Sequence, residues 1–322
     1  MHPAKARFAS ATSNTRRFNG DIRRFLAKGD APQLVTTTYL PFILLLAAVI
    51  GLWIHRTVWI AALIAAIVAG IATGALHWLA AVWITLLVVL AIAYADARDS
   101  TLPNKRAWHT LTGLAFFSYA LAMGLALLPG FHRVVLAQPV VLSAGAVPQG
   151  ISVGFPKVAV GIIILGLINP LLVRSWRELG RVLARALPVF AITATVGMAV
   201  VLLMGSTSFA PKWTAMFLLF APVNLFFTCL SEEAFFRGFV QHEISRMGSR
   251  PALAAGIGLA VGAILFGLAH FGGGPNYAIA AAVAGLGYGW AFLRTQRIEA
   301  AMAVHFGVNA VHFLLFAYPR LA

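Results

Sequence analysis

Long apolar runs alternate with short polar breaks along nearly the whole chain. The runs cover residues 39–54, 58–76, 79–95, 109–129, 157–173, 186–205, 213–240, 251–271, 276–293 and 298–318. A helix needs about 20 apolar residues to cross a bilayer, and most of these runs are long enough. The first three are crowded. Their breaks, His55-Arg56-Thr57 and His77-Trp78, are so short that residues 39–95 hold either three minimal spans or two longer ones. The pattern predicts an all-α fold, a polytopic transmembrane helix bundle of about eight to ten spans. Residues 1–38 are polar and basic, contain Pro3, Gly20, Gly29 and Pro32, and lack sustained helical periodicity. They read as a cytoplasmic tail. A signal peptide does not fit, because the apolar run that follows ends in Trp53-Ile54-His55-Arg56 with no small-residue cleavage site.

Composition sharpens this. Apolar residues make up 61% of the chain and charged residues 10%, against about a quarter charged in soluble domains. A soluble enzyme and a disordered chain are both excluded. The formal charge is +15, from 24 Lys+Arg and 9 Asp+Glu. That excess raises nucleic-acid binding, but its placement argues otherwise. Lys5, Arg7, Arg16, Arg17, Arg23, Arg24 and Lys28 lie in the tail, and most other cations sit in breaks between apolar runs. This is the positive-inside pattern, and such a tail favours an anionic lipid surface. Membrane lipid is therefore an expected partner and nucleic acid is not. Residues 98–106, 174–185, 241–250 and 294–297 read as cytoplasmic; residues 130–156, with one Arg and no acids, read as external. The expectation is a multi-pass integral membrane protein, with the bacterial inner membrane as its location. The single cysteine, Cys229, excludes an intrachain disulfide and a Cys-cluster metal site. Gly285 and Gly289 form a small-xxx-small pair that predicts close helix packing.

Ionisable groups inside the runs carry the functional signal. Of nine acids, Asp21 and Asp30 fall in the tail, and Asp96, Asp99, Glu178, Glu243 and Glu299 at or near span ends. Glu232 and Glu233 remain, with Arg237 close by. A charge at bilayer depth costs about 2.5–3.5 kcal/mol on insertion scales, and function is the default explanation. Glu233 and Arg237 are spaced for an ion pair on one helix face, which on its own could simply orient helices. Glu232 points about 100° away and has no cation of its own, which suits a general base. His270 closes Phe266-Gly267-Leu268-Ala269-His270, and His305 shares a helix face with Asn309. Singly, each histidine reads as a satisfied core residue. Together these groups predict one convergent site. A rise of about 1.5 Å per residue sets Glu232 and His270 roughly 10 Å apart in depth, with His305 about 12 Å into its own span.

Three motifs in order, Glu232-Glu233-x-x-x-Arg237, Phe266-x-x-x-His270 and His305-x-x-x-Asn309, resemble the CPBP family of intramembrane proteases, which includes the CAAX-prenyl endopeptidases and bacteriocin-processing (Abi) proteins. The flanks Phe236-Arg237-Gly238 and a Gly-rich helix before the last motif are similar too. The resemblance covers about residues 215–318. With the polar tail (1–38), it divides the chain into an amino-terminal transmembrane region without an assigned role (39–205) and a catalytic core (206–322). It also implies an endopeptidase in which Glu232 and His270 hold and deprotonate a water. Glu233 and Arg237 would brace the presenting helix, and His305 and Asn309 would donate to the oxyanion. Its substrate would be a membrane-associated peptide or membrane-protein segment, a prenylated tail among the options. Glu232, His270 and His305 could instead supply three zinc ligands, but no His-Glu-x-x-His spacing is present. A metal-independent, glutamate-activated water is the expectation, with no required cofactor. The competing readings are an ion- or proton-coupled transporter and an inactive membrane scaffold. Cys229 reads as packing rather than as a nucleophile, and His312 as packing or support for His305.

Overall fold

A computed structural model describes residues 32–101, 103–247 and 249–322, with side chains from residue 38 onward. The expected tail therefore lies, up to residue 31, outside the described residues. Ten helices follow: α1 (Pro32–Gly51), α2 (Arg56–Ala72), α3 (Trp78–Asp99), α4 (Lys105–Gly124), α5 (Phe155–Ile168), α6 (Trp176–Leu203), α7 (Met216–Ser245), α8 (Pro251–Ala269), α9 (Pro275–Thr295) and α10 (Ile298–Leu315). Six of them, α3 and α6–α10, are long and apolar enough to cross a membrane. The described part of α1, with α2 and α5, is apolar but shorter.

The crowded start resolves as three helices, and the two polar breaks explain how. His55 Nδ1 accepts from Thr57 N at 3.3 Å, and His77 Nδ1 accepts from Leu79 N at 3.4 Å. Each histidine thus caps the orphan donors of a helix start. The loop read as external folds in part into an antiparallel hairpin, β1 (Val134–Val140) with β2 (Gln149–Val153). Large apolar side chains such as Ile64, Val68, Leu187 and Ile264 are exposed on the outer surface, as a lipid-facing bundle requires.

Helix α7 sits at the centre, packed against α5, α8 and α10, while α6 packs on α9 and α10. It is not a uniform helix. Asn224–Cys229 and Ala234–Gln241 are wound as π-turns, on either side of an ordinary α-helical stretch, Leu230–Glu233. Such wide turns cluster at functional sites because they re-aim side chains.

Two acids expected at span ends are in fact buried and bind distant chain segments. Glu299 Oε1 accepts from Trp53 Nε1 at 2.6 Å and from Val173 N at 2.8 Å. Glu243 Oε1 accepts from Asn169 Nδ2 at 2.7 Å, and Asn169 Oδ1 accepts from Arg98 Nη1 at 3.1 Å. Charged acceptors make the stronger hydrogen bonds. These tie the turn between α1 and α2, α3 and the segment after α5 to the carboxy-terminal helices.

Candidate active site

The six motif residues come from three places. Glu232, Glu233 and Arg237 lie on α7, His270 just beyond α8, and His305 and Asn309 on α10. Glu232, His270, His305 and Asn309 line one cavity of about 650 Å³. Glu232 Oε2 is 3.8 Å from His305 Nε2 and 4.0 Å from His270 Nε2. The depth offset suggested by residue counting is thus closed. Glu233 and Arg237 do not line the cavity. They lie behind it, both fully buried.

The hydrogen bonds behind each histidine fix what its cavity-side nitrogen can do. His270 follows the last residue of α8, and its ring turns back so that Nδ1 meets Phe266 O at 2.7 Å. A carbonyl only accepts, so Nδ1 carries the hydrogen and Nε2 is left to accept. Gly274, at φ +99°, and Pro275 then turn the chain into α9, a backbone conformation that glycine adopts readily. His305 Nδ1 lies 2.7 Å from Glu233 Oε1, its ring stacked on Tyr288 with centroids 4.4 Å apart. Glu233 therefore does more than brace α7, because it also anchors His305.

Arg237 completes this inner layer. Its Nη1 is 3.2 Å from the Glu233 carboxylate, and Nη2 donates to Gly285 O at 2.8 Å. The guanidinium lies 4.7 Å from the Phe266 ring centroid and 5.3 Å from that of Tyr288. One turn on, Gln241 Nε2 donates to Gly289 O at 2.9 Å. A Cβ at Gly285 would come within 3.1 Å of Arg237 Nη2, and one at Gly289 within 2.5 Å of Gln241 Oε1. The glycine pair on α9 thus makes room for two buried polar side chains of α7, beyond simple helix contact.

Several contributors were not anticipated. Lys157 Nζ donates to Glu232 Oε1, so Glu232 does have a cation. It comes from α5, 75 residues away in sequence, from a position that reads as the edge of an apolar run. Asn224 Oδ1 accepts from Asn309 Nδ2 at 3.2 Å and from the buried Cys229 thiol at 3.3 Å. Asn224 is a polar residue inside an apolar run, a signal the sequence does contain. The bond to Asn224 agrees with a packing role for Cys229. His312 lines the cavity and packs against Tyr318 with ring centroids 5.1 Å apart. Burial pushes the Tyr318 phenol up, so it too lines the cavity as a neutral hydroxyl.

The zinc alternative can be set against this geometry. Among the described residues, no three His, Cys, Asp or Glu side chains form a group that could hold a metal. The Lys157 ammonium also occupies one oxygen of the carboxylate that would be a ligand, where it would repel a divalent cation.

No curated protein and no solved structure matches the chain. Residues 214–311 match the family model described as type II CAAX prenyl endopeptidase Rce1-like. That stretch contains all six motif residues and excludes Lys157. Residues 214–311 are thus similar to Rce1-like domains, which is consistent with a CPBP-family intramembrane protease and, in general terms, with a CAAX-type endopeptidase.

Proposed function

We propose that the protein hydrolyses a peptide bond of a membrane-associated or lipidated peptide, using a water activated by Glu232 and His270. The observation that carries this reading is Glu232 Oε2. It is buried, has no hydrogen-bond partner among the described residues, and faces two histidine nitrogens across a cavity. Water between these groups donates one hydrogen to Glu232 Oε2 and the other to His270 Nε2. Glu232 removes the first proton as the oxygen attacks the scissile carbonyl carbon. The oxyanion then accepts from His305 Nε2–H and from the second Asn309 amide hydrogen, the first being held by Asn224. In this step His305 carries hydrogen on both ring nitrogens, Nδ1–H donating to the Glu233 carboxylate at 2.7 Å. One such donor is worth about 10²–10³ in kcat. Glu232 returns its proton to the leaving nitrogen as the C–N bond breaks and the oxyanion re-forms the carbonyl; the hydrogen left on the former water oxygen passes to His270 Nε2, giving a carboxylate and an amine.

No step is routed through a metal, which agrees with the Lys157 ammonium on Glu232. A farnesylated CAAX peptide is the substrate class to try first, given the Rce1-like match at residues 214–311. The test is mass spectrometry of that peptide after incubation with purified protein in detergent. Release of the last three residues by the wild type, and none by a folded His270→Ala variant, is expected. Cleavage undiminished in His270→Ala would refute the assignment.

A further inference from the structure

We infer that Lys157 is a positioning residue of the hydrolytic site, supplied by a helix outside the 214–311 domain and held in place by Gly161. The inference rests on the proposed role of Glu232. Lys157 lies in the first turn of α5, whose first turn has no acidic residue. A cation at a helix amino terminus is opposed by the helix dipole, so its placement needs compensation from elsewhere. Glu232 supplies it: Lys157 Nζ donates to Oε1 of that carboxylate. The lysine side chain is 38% exposed, whereas that of Glu232 is 6% exposed. The aliphatic stem therefore reaches inward, and the ammonium meets the carboxylate at the edge of the buried site.

The two oxygens of Glu232 are thereby divided. Oε1 is held by Lys157, and Oε2 is left toward His270 and His305. Arg237 cannot take over this task, because its guanidinium is committed to Glu233 and Gly285 O. Among the described residues Lys157 alone holds Oε1 by a hydrogen bond, so the carboxylate would be free to rotate if the ammonium were removed.

Gly161 sets the spacing. It lies one turn after Lys157 on α5, and a Cβ there would stand 2.9 Å from Ser231 Cα and 3.2 Å from Leu230 Cδ2. Ser231 precedes Glu232. The two backbones are thus in contact at the level of the ion pair, which fixes how far the lysine must reach. A larger residue at 161 would push α5 away and part Lys157 from Glu232.

The test is steady-state cleavage of an internally quenched farnesyl-CAAX peptide by purified full-length protein, with thermal unfolding measured alongside. In Lys157→Met, kcat should fall about 10²-fold, the scale of a misplaced catalytic group, with KM changed less than about threefold. Lys157→Arg should recover at least a tenth of the wild-type kcat. Gly161→Val should lower kcat as well, and the double variant with Lys157→Met should be no slower than the slower single, since both changes break one contact. Wild-type kcat in Lys157→Met, while Glu232→Gln is inactive, overturns the positioning role and leaves the role of Glu232 standing. Full activity in Glu232→Gln overturns both. A KM effect without a kcat effect in Lys157→Met also overturns the positioning role, because it marks a substrate-binding cation. So does a Lys157→Arg variant that unfolds like the wild type yet is as slow as Lys157→Met.

Discussion

Replacing Arg237 with methionine probes the inner layer on which the site rests. Arg237 is fully buried. It neutralises Glu233 at 3.2 Å, donates to Gly285 O at 2.8 Å, and lies over the Phe266 ring. Methionine keeps much of the apolar volume and removes the charge. Breaking a buried pair from one side costs about 3–5 kcal/mol, since the other charge stays behind. The abandoned Gly285 carbonyl adds about 1–3 kcal/mol, and the lost cation–π contact about 0.5–2 kcal/mol. These overlap, because methionine still packs on the rings, so a net loss of about 4 kcal/mol is expected. The pair Glu233→Gln plus Arg237→Met removes both charges of the Glu233–Arg237 pair and should recover about 2 kcal/mol of that loss. It should not recover peptide cleavage, because the anionic anchor of His305 is gone. Equilibrium unfolding in mixed micelles, titrated with a denaturing detergent, measures all three proteins on one scale. An Arg237→Met variant within about 1 kcal/mol of the wild type, or a double variant as unstable as the single, would refute the reasoning.

Three further outcomes follow from the same geometry. Asn309→Ala should lower kcat by about 10²–10³ with little change in KM, as expected of a donor used in the transition state; steady-state kinetics on the farnesylated peptide decide it. Gly267→Ala should destabilise by about 1–3 kcal/mol, because its Cβ would meet Ala278 O at 2.7 Å and Ala282 Cβ at 2.8 Å. It should also slow turnover by displacing His270, three residues on. Turnover in the presence of a strong chelator should equal that without it, whereas inhibition reversed by added zinc would point to a metal.

Much of this arrangement is legible along the chain, for physical reasons. Each of the ten apolar runs became a helix, because burying or lipid-exposing that many apolar residues leaves the backbone no other way to satisfy its polar groups. The Glu233–Arg237 pair follows from i,i+4 spacing alone. The convergence of Glu232, His270 and His305 was harder to see, because side-chain reach and the π-turns of α7 are not in the residue count. Lys157 carries no such signal in the sequence, because a lysine at the edge of an apolar run reads as an ordinary boundary charge, and its partner is 75 residues away. Gly285 and Gly289 were legible as small, but the side chains they admit, Arg237 and Gln241, belong to another helix. The β1–β2 hairpin lay hidden in a loop whose polar character says only that it leaves the membrane.

The most direct test of the account is an experimental density map of the wild-type protein in a lipid nanodisc, at a resolution that shows ordered water. A water within about 2.6–3.2 Å of both Glu232 Oε2 and His270 Nε2 is expected, with Lys157 on the opposite carboxylate oxygen. A metal ion bound at about 2.0–2.2 Å to Glu232, His270 and His305, or a site sealed from water, would contradict it.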